Sequence, residues 1–349
     1  MQPRGGPSGA RGRGTLADAV PANRAPGAKI VVGLAAENRQ VAIMNRLALF
    51  RATFLTAFLL TGCSGSLPAS DMRQEPSPPG SVSAKSAFDM NVDGHWVHVM
   101  RPRGYPIPHR EHWVGNLIYH NGTVQTTPSI YVVYWQFTTD PDNVATDLTG
   151  FLTVVGGSTW LNTVTQYYQW PRSRRKIYVH NSVAQLKGVW YDNTNPIPLH
   201  PTDTQIEREA FNLAQHFGSI KKSAVYFVAT PTGHGGKGFP NQYCAYHSNA
   251  YYYYNIAYVN LPYQPDAGYY CGANYIYDPQ GIDEGVTTTA GHELAETQTD
   301  PLGQGWFDYN YQHEIGDECA WTNWQYTSFG SVSYTTQPLW SNSAGGCVQ

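Results

Sequence analysis

Gly291-His292-Glu293-Leu294-Ala295-Glu296 sets an imidazole and a carboxylate four residues apart with a second carboxylate between them. Residues four apart on a helix share a face at about 5 to 6 Å, so His292 and Glu296 can hold one cation. Glu293 then points toward a neighbouring coordination position. The layout is the H-E-x-x-H of zinc peptidases with its second His replaced by Glu. In that pattern the intervening Glu is the general base toward water polarised by the metal. A carboxylate still binds zinc, at about 2.0 to 2.2 Å, but its charge moves the site toward harder cations. Zinc is the expected cofactor, with another divalent cation left open.

Two ligands do not make a site. Asp300 lies eight residues beyond His292. At 1.5 Å per residue that is about 12 Å along the axis, too far to share the ion, and Pro301 predicts that the helix ends there. Glu314-Ile315-Gly316-Asp317-Glu318-Cys319 offers better partners. Glu314 would complete a His292, Glu296, Glu314 ligand set, with Asp317 accepting the other ring N–H of His292. His247 is a third possibility. A surface salt link between His292 and Glu296 is the plain alternative for an isolated hexapeptide. Against it, Thr287, Thr288, Thr289, Ala290 and Gly291 suit a closely packed helix start, and an acidic cluster follows within a loop's reach.

Outward from this helix, Ile130 to Trp135, Lys176 to His180, Ser223 to Ala229 and Ala257 to Leu261 read as strands. Asp142 to Val155 and Asp203 to Phe217 carry helical apolar spacing, with Asp203 placed as the cap of the second. This order predicts an α/β (α+β) domain, zincin-like and three-layered, with a mixed sheet and a late metal-motif helix. Other three-layer folds share the pattern. The glycine-rich loop Thr230 to Pro240 lacks the order of a P-loop or a Rossmann turn and is expected to border the site. No G-x-S-x-G elbow is present, which argues against a Ser hydrolase.

Residues 89–349 are long enough for one globular domain. Residues 1–43, rich in Arg, Gly, Ala and Pro, read as a non-native or disordered extension. Residues 44–63 read as a lipoprotein signal peptide: Arg46 and Arg51, the apolar run Ala52 to Leu60, then Leu60-Thr61-Gly62-Cys63, similar to the bacterial lipobox. Residues 64–88 form a Ser- and Pro-rich tether. An exported chain anchored to the cell envelope through lipidated Cys63 follows. Four further cysteines in an exported chain imply two disulfides, with Cys244 to Cys271 and Cys319 to Cys347 expected as nearest neighbours. From Ser64 onward, 14 Lys and Arg face 23 Asp and Glu, a formal charge of −9 that gives no footing for nucleic acid. Nothing asks for more than a monomer.

The blocks Tyr243-Cys244-Ala245-Tyr246-His247, Asn260-Leu261-Pro262-Tyr263, the His292 hexapeptide with Thr299-Asp300-Pro301, and Glu314-Ile315-Gly316-Asp317 resemble the phosphate-induced protein 1 family, which includes plant EXORDIUM proteins and secreted bacterial relatives. The likeness covers roughly residues 120 to 349 and carries over His247, His292, Glu293, Glu296, Glu314, Asp317 and the paired cysteines. The resemblance implies an extracellular protein linked to the cell wall and no secure reaction. Lipobox and tether are not family features.

Two functions follow. The first is a zinc-dependent, metallopeptidase-like hydrolase acting on a peptide or cell-wall polymer. In it Glu293 is the general base, Asp317 the orienter, and His247 a ligand or a donor to developing negative charge. The second is a non-catalytic cell-surface or polysaccharide-binding protein in which the cluster holds a structural cation and tyrosines such as Tyr251 to Tyr254 bind the wall.

Overall fold

A computed structural model describes residues 87–106, 115–171, 175–251, 253–309 and 312–349. The N-terminal extension, the signal peptide with Cys63 and the tether up to residue 86 lie outside them. Phe88, which the sequence reading placed in the tether, is 1% exposed and packs edge-on against His313 at 4.8 Å.

Seven strands form one mixed sheet: β1 Asp89–Val92, β2 His95–Met100, β3 Ser129–Trp135, β4 Leu186–Asp192, β5 Ala224–Ala229, β6 Ala245–Ala250 and β7 Ile256–Leu261. Their spatial order is β1-β2-β6-β7-β5-β3-β4. Strands β7, β5, β3 and β4 run parallel, while β6, β2 and β1 extend the sheet by antiparallel pairing. The parallel centre is covered on both faces, which is why β3 and β5 are uninterrupted apolar and aromatic runs. Strand alternation sends Ile130, Val132 and Tyr134 toward helices α1 (Val144–Val154) and α3 (Glu284–Thr299). Tyr131, Val133 and Trp135 point to α2 (Asp203–His216) on the other face. The sheet thus lies between helices on both sides.

Several expectations need adjustment. Lys176 to His180 forms strand only at Ile177–Tyr178, a short exposed pair with Tyr168–Gln169. Asp203 does not cap α2. Thr202 does so, in a capping box with Gln205, and Asp203 is the first helical residue, buried and accepting hydrogen bonds from Tyr246 and Tyr258. The glycine-rich loop lies away from the cleft described below, held by Asp266 through Thr232 and Gly233 and by Pro198 through His234. β1, β2, β4 and β6 were not anticipated: each mixes polar and apolar residues and lies outside the apolar parallel centre or at its edge.

Helix α3 is the central element. All sixteen residues are buried although few are strongly apolar. A fully buried helix is ordinarily hydrophobic all round, so these polar groups need partners. Thr287 donates to Thr335 O at 2.7 Å, Thr299 to Ala295 O at 3.1 Å and Gln298 to Gln185 Oε1 at 2.9 Å. Gly291 admits the neighbouring rings: a Cβ there would meet Trp160 at 3.0 Å and Phe151 at 3.3 Å. Both expected disulfides are present, Cys244 to Cys271 and Cys319 to Cys347. They fit an oxidising compartment. Among the described residues no helix is long and apolar enough to cross a membrane.

Where α1 meets the start of α3, burial and a hydrogen bond with Asp283 push the Asp147 carboxyl from 3.8 up to about 7. The folded chain therefore holds a proton that the unfolded chain releases, and stability falls as pH rises from about 4 through 7. Asp147→Asn should flatten this slope in melting temperature measured against pH. An unchanged slope would place its origin elsewhere.

Candidate metal centre

Three elements converge on one point. Helix α3 supplies His292 and Glu296 on one face, with His292 Nε2 at 3.1 Å from Glu296 Oε1. Glu293, one residue round the helix, turns to the sheet and accepts a hydrogen bond from His247 Nδ1 at 3.0 Å. Strand pairing brings the second element: His98 on β2 and His247 on β6 are direct partners in the antiparallel ladder. Opposite residues in a ladder put their side chains on the same face. The two rings lie 5.4 Å apart.

The third element is the segment Glu314 to Asp317. The Asp317 N–H donates to Glu296 Oε1 at 3.2 Å and the Glu314 N–H donates to Asp317 Oδ2 at 3.0 Å, so the segment is tied to the helix and to itself. Trp340 N–H fixes Ile315 O at 2.9 Å, and the Cys319–Cys347 disulfide closes the chain two residues beyond Asp317. Gly316 lets the segment approach: a Cβ would lie 2.6 Å from His292 Nδ1 and 2.9 Å from Glu296 Oε1.

All six residues singled out in the sequence therefore gather here, in a different arrangement. Two triads have donor atoms within 4.8 Å of one another: His98, Glu296 and Asp317, and His247, Glu293 and Glu296. The imidazole Nε2 of His292 joins the first, 3.6 Å from Asp317 Oδ1. Glu314 belongs to neither triad. Its Oε1 stands 3.6 Å from His247 Nε2 and 3.7 Å from His98 Nδ1, on the wall of a cleft. Asp317 does not receive the outer N–H of His292. That group, Nδ1, faces Gln337 Oε1 at 3.3 Å, and Gln337 Nε2 donates to Gly316 O at 2.7 Å. The amide orientation holds the proton on Nδ1 and leaves Nε2 available to a cation.

His98 and Gln337 escaped the sequence reading. The one local signal for His98 is its alternation with the buried Val97 and Val99. Gln337 carries none.

Charge sharpens the picture. Glu293, Glu296, Asp300, Glu314 and Asp317 are all buried, and among the described residues none forms a salt bridge with Lys or Arg. Three imidazolium groups would balance only three of these five carboxylates. Burial alone would lower the histidines, but the carboxylates outweigh it. Glu314 and Asp317 raise His98, Glu296 and Asp317 raise His292, and His247 is pushed up to about 10 by Glu314 and Glu293. Burial raises Glu293, Glu314 and Asp300. Burial would raise Asp317 and Glu296 as well, but neighbouring imidazoles hold both below the usual carboxylate range, His98 foremost for Asp317 and His292 for Glu296. His292 Nε2, Glu293 Oε1, Glu296 Oε2 and Asp317 Oδ1 also have no hydrogen-bond partner in the protein. Uncompensated buried polar and charged groups cost several kcal/mol each. A divalent cation would meet the orphaned atoms of His292, Glu296 and Asp317 and offset part of this negative charge, so the donor set fits a metal.

The centre opens on a cleft of about 190 Å³ lined by His98, His247, Asp300 and Glu314, with Trp96 and Phe307 among the residues of its rim. Two other clusters are less suited to a metal. Both oxygens of Asp203 in the group with His95 and Glu207 already accept hydrogen bonds, and Asp308, His313 and Glu318 do not line the cleft. No protein-family model matches the chain, and neither a curated protein nor a solved structure does.

Proposed function

We propose that this protein is a metal-dependent hydrolase of zincin-like architecture, exported and anchored through Cys63. The observation that carries this reading is the convergence of orphaned imidazole and carboxylate atoms beside an open cleft. His98, His292, Glu296 and Asp317 would hold the cation, and zinc suits a mixed set of imidazole and carboxylate donors. When bound, the ion supplies Lewis acidity toward a carbonyl oxygen and lowers the pKa of water toward about 7.

The chain's own residues supply the rest. Gln337 orients His292 through its Nδ1–H. His247 lines the cleft while Glu293 sits behind it on Nδ1, so His247 meets the substrate and Glu293 sets its tautomer and stabilises its charge. This orientation exchanges the roles expected from the H-E-x-x-E pattern, in which Glu293 itself meets the water. A charged His247 also suits an oxygen on which negative charge develops. The substrate is a peptide or a cell-wall polymer, the chain acts as a monomer, and its likeness to the phosphate-induced protein 1 family accords with a role at the cell surface.

Metal content of the purified full chain tests the reading. About one equivalent of zinc in wild type and none in His292→Ala is the expected result. Well-folded wild-type protein that takes up no divalent cation on reconstitution would leave a binding protein with a buried polar network.

A further inference from the structure

Two carboxylates in the cleft are not used by the metal set. Asp300 ends α3, and its Oδ1 accepts the backbone N–H groups of Gln304 and Gly305, each at 2.7 Å, which fixes the side chain. Its Oδ2 has no hydrogen-bond partner, and the residue is 1% exposed. Glu314 turns Oε1 toward His98 and His247, while Oε2 is likewise without a partner at 3% exposure. Both residues line the cleft, and neither belongs to a metal-donor triad. Each carboxylate thus keeps one buried oxygen unpartnered, and among the described residues neither forms a salt bridge with Lys or Arg, which suits a cationic ligand.

We infer that Asp300 and Glu314 form a subsite for a protonated primary amine of the substrate, next to the metal centre. The inference rests on the hydrolase reading and names its substrate class. An ammonium group carries three donors, enough to serve both orphan oxygens. Trp96 and Phe307 offer aromatic surface to the carbon chain that bears the amine. Size agrees: about 190 Å³ is smaller than the roughly 300 to 1,000 Å³ typical of drug-sized sites, so the cleft accepts an end group rather than a length of polymer. The amine is the amino terminus of a peptide or a lysine-type side chain.

Calorimetric titration of the full chain with three neutral-backbone probes tests this. L-Alaninamide carries the terminal amine, Nα-acetyl-L-lysinamide the side-chain amine, and N-acetyl-L-alaninamide neither. One of the two amines is expected to bind at least about tenfold more tightly than the probe without one, and which of them does so assigns the source. Asp300→Asn keeps the Oδ1 acceptor for Gln304 and Gly305 while removing the charge. It and Glu314→Gln should each erode the preference with metal content unchanged. Equal binding of all three probes, or a preference that survives in the double variant, overturns the subsite. Metal content, read separately, decides the hydrolase reading.

Discussion

His98→Ala will purify with its cation lost, although His98 lies outside the H-E-x-x-E helix. Its Nε2 is 2.6 Å from Asp317 Oδ2, and it belongs with Glu296 and Asp317 to the triad nearest His292. Residues that merely support a metal ligand cost about 10- to 100-fold in affinity when changed, and a direct ligand should cost more. The loss is compounded because His98 also packs against Asp317, a second proposed ligand, and its removal frees that carboxylate from its place. A competition titration with a zinc chelator reads the effect. His95→Ala is the matched control, since it lies on the same strand but faces Asp203 at 2.7 Å on the other side of the sheet. Metal retained in His98→Ala would move the cation to the His247, Glu293 and Glu296 triad.

Glu293→Gln is the second large effect. The amide still accepts a hydrogen bond from His247 Nδ1 but does not stabilise an imidazolium, so turnover should fall by about 10²- to 10⁴-fold. Metal should stay, because the proposed ligands are untouched. The two outcomes separate two sites. Activity lost with metal kept supports the proton-handling pair, whereas metal lost with it makes Glu293 a ligand. Unchanged turnover would remove Glu293 from the chemistry. The readout is kcat alongside metal content in the same preparation.

Much of this centre was legible locally. The i, i+4 pair His292 and Glu296 follows from helical periodicity, and small residues before it indicated burial. The central strands followed from composition, and the even cysteine count implied two disulfides, whose pairing only the structure decides. Asp203 shows where local reading misled: a residue well typed for a cap was needed by Tyr246 and Tyr258 across the sheet, and Thr202 took the cap.

The sequence by itself determined the metal-motif helix, its end at Thr299 before Pro301, and the acidic segment that follows, because these depend on residues within a few positions of one another. Only the tertiary structure decided that His98 stands beside His247, that Gln337 holds His292, and that Glu314 and Asp300 face the cleft. Those facts depend on strand order and register, which bring together residues far apart in the chain and which no local period encodes.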